Sequence, residues 1–182
     1  FGGGGINNEA GATITITTSN IGGTTAAEGN TVGGFGGGIR NAGTITAITG
    51  GTIQNNTATG ASSQGGGIRN IGIIANINAI AILNNSAVVS GGGISNTGTM
   101  PLTNCNIRSN TVTANIVGGG GINNATGATV TITTCNIGGT TAAEGNTTPG
   151  NGGGIRNAGT MTITGGTIQN NTGTGANSAG GG

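Results

Sequence analysis

The side chains here that most often carry protein chemistry are three glutamates, four arginines and two cysteines; histidine, aspartate and lysine are absent from the 182 residues. Acid–base cleavage of a polysaccharide needs two carboxylates flanking one bond. A calcium loop needs several acidic ligands at short fixed offsets. Glu9, Glu28 and Glu144 fall in separate stretches and supply neither. Cys105 and Cys135 are two thiols where zinc takes four ligands. No catalytic activity, metal or cofactor is therefore expected of this sequence. A net charge of +1 leaves no basic footprint for nucleic acid, and Phe1 and Phe35 are the only aromatics. The most apolar stretch, residues 71–83, contains Asn76 and Asn78 and is too short and polar for a membrane-spanning helix.

Those few reactive groups gain meaning from the repeat that positions them. Gly-Gly-Gly-Ile occurs six times, ending at Ile6, Ile39, Ile68, Ile94, Ile122 and Ile155, and a seventh glycine triplet occupies residues 180–182. The spacings are 33, 29, 26, 28 and 33 residues. Periods of this size belong to solenoids, in which each unit buries its apolar face only against its neighbours. The 45 glycines would otherwise suggest disorder, but the rest of the chain is rich in Thr, Ile, Asn and Ala, with little charge. Thr and Ile favour strands.

One unit, residues 152–171, reads as three extended stretches: Ile155-Arg156-Asn157, then residues 160–164, then Thr167-Ile168-Gln169-Asn170. In the second, Met161 and Ile163 alternate with threonines, a two-sided strand. The expected fold is all-β: a parallel β-helix (β-solenoid) with three short strands per coil, about six coils, right-handed. Stacking then yields columns. One asparagine follows two residues after each first-strand isoleucine: Asn8, Asn41, Asn70, Asn96, Asn124 and Asn157. A second series closes the third strand: Asn30, Asn56, Asn85, Asn110, Asn146 and Asn171. Stacked amides bond to one another along the axis and to corner backbone groups, so both columns are read as structural ladders.

The same register brings the reactive residues together. Cys105 and Cys135 occupy matching slots in adjacent coils, and Ser19 holds that slot in the first coil. A spacing of about 4.8 Å suits either a buried thiol pair or a disulfide, although parallel Cβ vectors make the bond awkward. Arg40, Arg69 and Arg156 share the outward place between the ladder Ile and Asn. Stacked like charges repel unless screened or partnered, so they either splay into solvent or meet an acidic loop of another molecule. Threonines in Thr-x-Thr rows line the outer second strand and are interrupted in the third and fourth coils by Ala75-Asn76-Ile77-Asn78 and Met100-Pro101-Leu102.

A higher period lies above the coil. Residues 21–31 (IGGTTAAEGNT) return unchanged at 137–147, and residues 36–44 return at 152–160. Four coils thus form a block of 116 residues, repeated from about residue 118. The long coils carry extra residues after Ile21 and Ile137, expected as outward loops bearing Glu28 and Glu144. Residues 1–182 read as a single solenoid segment of a longer array, with neither end resembling a cap.

Gly-Gly-Gly-Ile with Ile-x-x-Asn about 15 residues later, as in Ile53-Gln54-Asn55-Asn56 and Ile107-Arg108-Ser109-Asn110, resembles the repeats of chlamydial polymorphic outer membrane proteins. It is similar also to the Gly-Gly-Gly-Ile-x-Asn repeats of large bacterial and archaeal surface proteins. The resemblance implies a β-helix, a location outside the cell or on its surface, and a role in adhesion. With low charge and near-identical blocks, the expected function is a structural segment of an extracellular fibre, sheath or adhesin. Its expected partners are copies of itself, through axial stacking and lateral contacts at Arg40, Arg69, Arg156, Glu28 and Glu144. The alternative is a module that binds ice, a glycan or a host receptor through its threonine rows or long-coil loops.

Overall fold

The computed structural model describes residues 2–176 and 178–180. Phe1 and the last two glycines of the terminal triplet, Gly181 and Gly182, lie outside the described residues. The chain forms an all-β solenoid in which every strand pair is parallel and joins one coil to the next. Its only helical pieces among the described residues are two three-residue 3-10 turns.

The first wall is a six-stranded sheet made of Ile6–Asn8, Ile39–Asn41, Ile68–Asn70, Ile94–Asn96, Ile122–Asn124 and Ile155–Asn157. Isoleucine stands over isoleucine and asparagine over asparagine throughout it. The second wall combines two of the expected strands in one sheet. In the first two coils they run through unbroken, as Thr13–Ile21 and Thr44–Gln54. Later coils divide them, for example into Thr99–Thr103 and Asn106–Arg108. The third wall consists of two-residue strands directly after the second asparagine, such as Thr57–Ala58 and Ser86–Ala87. Each coil therefore has three walls, but the third is built from a Thr-x or Ser-x pair that the alternation pattern is too short to reveal.

Inward side chains form columns. Ile39, Ile68, Ile94 and Ile122 are fully buried, as are Ile53, Ile82, Ile107 and Ile137. Met100 and Leu102 point inward beside them, which keeps the core continuous in the coil where the threonine pattern breaks. Burying each such side chain stabilises the fold by about 1.5–3 kcal/mol. The glycine triplets have a steric origin. Gly36 has φ +68°, and a Cβ on Gly37 would stand 2.3 Å from the Gly66 carbonyl oxygen. The same approach repeats at Gly66 against Gly92 and at Gly120 against Gly153. Backbones of successive coils meet here too closely for any side chain, so this corner requires glycine in every coil.

Candidate functional site

Both asparagine columns are continuous. In the first, Nδ2 of each asparagine donates to Oδ1 of the next at 2.8–2.9 Å, from Asn8 through Asn41, Asn70, Asn96 and Asn124 to Asn157. In the second, the same bond runs from Asn30 through Asn56, Asn85, Asn110 and Asn146 to Asn171 at 2.8–3.0 Å. There the amide's second hydrogen bonds an isoleucine carbonyl of the preceding coil, as from Asn85 to Ile53 at 2.9 Å. The residue before each of Asn56, Asn85, Asn110 and Asn171 is Asn55, Asn84, Ser109 or Asn170, with φ between 54° and 57°. Asparagine tolerates this left-handed corner better than most residues.

The two long-coil loops fold alike. Thr25 and Thr141 each start a 3-10 turn, Ala26–Glu28 and Ala142–Glu144. One carboxylate oxygen of Glu28 accepts the Thr25 amide at 3.0 Å and the hydroxyls of Thr24 and Thr25. Glu144 accepts the amides of Thr140 and Thr141 and both of their hydroxyls. These donors favour the ionised form and hold both carboxyls below their usual range: for Glu28 the Thr25 amide leads, and for Glu144 the Thr140 hydroxyl. A Cβ on Gly23 would fall 1.9 Å from Cβ of Glu28, and one on Gly139 2.2 Å from Cβ of Glu144. Each glycine is thus a condition for seating its carboxylate. Each loop also overhangs an open groove, of about 430 Å³ beside Glu144 and about 380 Å³ beside Glu28.

The loops differ in what lies beneath them: the Ser109 N–H and hydroxyl donate to the Glu144 and Ala143 carbonyls of the second loop. Glu144 forms an ion pair with Arg108, which lies one coil below, next to the Ile107 that stacks on Ile137. The repeat does not mark Arg108, which sits beside Ile107 and not in the slot of Arg40. Only the coil register, 36 residues along the chain, brings it to Glu144.

Arg40, Arg69 and Arg156 share the predicted slot, but none splays freely. Arg40 pairs with Glu9 at 3.7 Å and donates to Asn7 Oδ1 at 3.1 Å. Arg156 donates to Asn123 Oδ1 at 3.0 Å. Arg69 reaches Thr97 Oγ1 at 3.1 Å and the Asn70 carbonyl at 3.3 Å. Burial, and then the Arg40 charge one coil away, lower its pKa to about 10. Among the described residues no ion pair joins Arg40, Arg69 or Arg156 to Glu28 or Glu144.

No family model, curated protein or solved structure matches this chain.

Cys105 and Cys135 are stacked as expected, as free buried thiols. The Cys105 amide donates to Cys135 Sγ at 3.3 Å. Each thiol donates to the carbonyl two residues before it, Cys105 to Thr103 at 3.2 Å and Cys135 to Thr133 at 3.5 Å, and the adjoining Cys105 side chain brings the Cys135 pKa down to about 7. The same contact, together with burial, pushes Cys105 up. Neither thiol has the solvent access of a reactive cysteine.

The threonine face is more continuous than the sequence suggests. One outer column reads Thr13, Thr44, Ile73, Thr99, Thr129 and Thr160. Another reads Thr17, Thr49, Asn78, Thr103, Thr133 and Thr164. The interruption is concentrated in the column between them, where Pro101 replaces a threonine and a register shift follows Ile14.

Proposed function

We propose that this chain is a structural repeat segment of an extracellular fibre, sheath or surface adhesin that associates with copies of itself by axial stacking and lateral packing. The observation that carries the reading is the pair of unbroken amide ladders. Each coil donates to the next in the same sense, so length is added without changing the register or chemistry of the column. A polar repeat of this kind suits head-to-tail growth, which does not close on itself. The outer threonine columns offer a sparsely charged lateral surface. Electron microscopy and sedimentation of the purified full chain across protein and salt concentration test the proposal. Filaments or laterally aligned rods are expected; single, discrete rods under every condition would refute it.

The grooves repeated beneath the two loops favour a second reading, a module that binds a glycan through its long-coil loops. Glycan-array binding that is lost on opening the loops, by Gly23→Ala with Gly139→Ala, would favour that reading over the fibre.

A further inference from the structure

Five asparagines stand in the Asn-x-Ser/Thr pattern that accepts an N-linked glycan: Asn55, Asn84, Asn124, Asn146 and Asn170. The fold treats them very differently. Asn124 and Asn146 are completely buried in the two ladders. Nδ2 of Asn124 donates to Asn157 and to the Thr160 carbonyl, and Nδ2 of Asn146 to Asn171 and the Ile107 carbonyl. Asn55 and Asn170 lie at the left-handed corner, but each Nδ2 is held at 2.7 Å by a loop carbonyl, Gly23 for Asn55 and Gly139 for Asn170. Asn84 occupies the same corner with φ 54° and is exposed. Its backbone N–H bonds the Arg108 carbonyl, while its side-chain amide has no hydrogen-bond partner among the described residues.

The long-coil loops create this difference. The loop of the first coil covers the corner of the second, through Gly23 and Asn55. The loop of the fifth coil reaches both neighbours. It meets the fourth coil where Ser109 donates to the Ala143 carbonyl and Arg108 pairs with Glu144, and the sixth at Asn170. The third coil lies two coils from either loop, about 10 Å along the axis. Its corner is left open between them, and that corner is Asn84.

From this we infer that Asn84 is a glycan attachment site, and that the fold admits an N-linked glycan at this one of the five positions. In the transfer, Nδ2 of Asn84 attacks the anomeric carbon of an oligosaccharide carried on a polyprenyl diphosphate. The N–C bond forms, the carbon–oxygen bond to the diphosphate breaks, and the diphosphate leaves with that electron pair. One amide proton passes to the transferase. The attached glycan projects from a corner whose neighbours lose no hydrogen bond. At Asn124 or Asn146 it would sever a ladder, and at Asn55 or Asn170 it would detach a loop carbonyl. Because the block repeats every four coils, the arrangement places one glycan per block in the gap between successive loops.

The inference rests on the extracellular reading for its biological setting, but its test does not. The full chain, given a secretion leader, is expressed in yeast, and the soluble, folded fraction is mapped by peptide mass spectrometry before and after glycan release. Occupancy at Asn84 alone is expected, lost in both Asn84→Gln and Ser86→Ala and unchanged in Thr57→Ala and Thr172→Ala. A short peptide spanning residues 51–60, offered to the same transferase, should be modified at Asn55, showing that folding and not sequence excludes that site. A bare Asn84, or folded protein carrying a glycan at any of the other four positions, would overturn the inference. Neither outcome depends on whether the chain forms fibres.

Discussion

The two asparagine ladders have the same spacing and composition, yet they hold the coil in different ways. In the first-wall column, Asn70 receives one side-chain donor, from Asn41, and its own amide serves Asn96 and the carbonyls of Gly72 and Thr99. In the corner column, Oδ1 of Asn85 receives both the side-chain amide and the main-chain N–H of Asn56. Its Nδ2 closes the Ile53 carbonyl as well as Asn110. The first ladder straps a turn; the second substitutes for backbone pairing at a corner where the strands have ended. Sites with the same residue and burial should therefore differ in cost, according to how many main-chain groups each leaves stranded.

The largest effect is expected from Asn85→Asp at neutral pH. The carboxylate keeps the acceptor but removes both donors and places an unpaired charge in a fully shielded column. Burial raises the folded-state pKa of such a group, so the folded form is favoured at low pH and loses stability as pH rises through the unfolded carboxyl range. The urea midpoint of this variant should rise on acidification to pH 4, opposite to the parent chain; an unchanged or falling midpoint would contradict the buried-donor account.

Asn85→Ala comes next, at about 3–5 kcal/mol, because it strands the Asn56 N–H, one Asn56 amide hydrogen and the Ile53 carbonyl, at roughly 1–3 kcal/mol for each buried orphan before relaxation. Asn70→Ala should cost about 2–3 kcal/mol by the same count, since its loss strands no main-chain N–H. Equal urea midpoints for the two alanine variants would show that the ladders are equivalent after all.

These differences set the limit of what the sequence discloses. Period and alternation reveal the solenoid, the isoleucine columns, both asparagine series, the stacking of Cys105 on Cys135 and the four-coil block, because each depends on residues repeating in register. The third wall escapes, since Thr57–Ala58 and its counterparts are too short for alternation to register. Arg108 escapes because its partner belongs to an insertion in the next coil, so no periodic slot relates the two. The ties from Gly23 to Asn55 and from Gly139 to Asn170 escape for the same reason: an inserted loop's direction is set by its own glycines and threonines, not by the repeat. Insertions break periodicity, and here they carry the contacts that distinguish one coil from another.

The smallest effects should separate the two loops. Residues 21–31 and 137–147 are identical, so the threonine cradle is common to both, while the Arg108 pair belongs only to Glu144. Both carboxyls are held below their ordinary value. Their contribution is therefore present above the unfolded carboxyl range and is lost as pH falls through the lower folded values. Amide exchange should rise in both loops on acidification below about pH 4, first in the 26–28 turn and at lower pH in the 142–144 turn, which the Arg108 cation also holds. Arg108→Gln should erase that lag without altering the 26–28 turn. Glu28→Gln and Glu144→Gln should each open only their own loop, and Glu28→Gln should also raise exchange at Asn55, whose amide rests on Gly23. If Arg108→Gln leaves the lag in place, the difference between the loops lies in the coils beneath them and not in the ion pair.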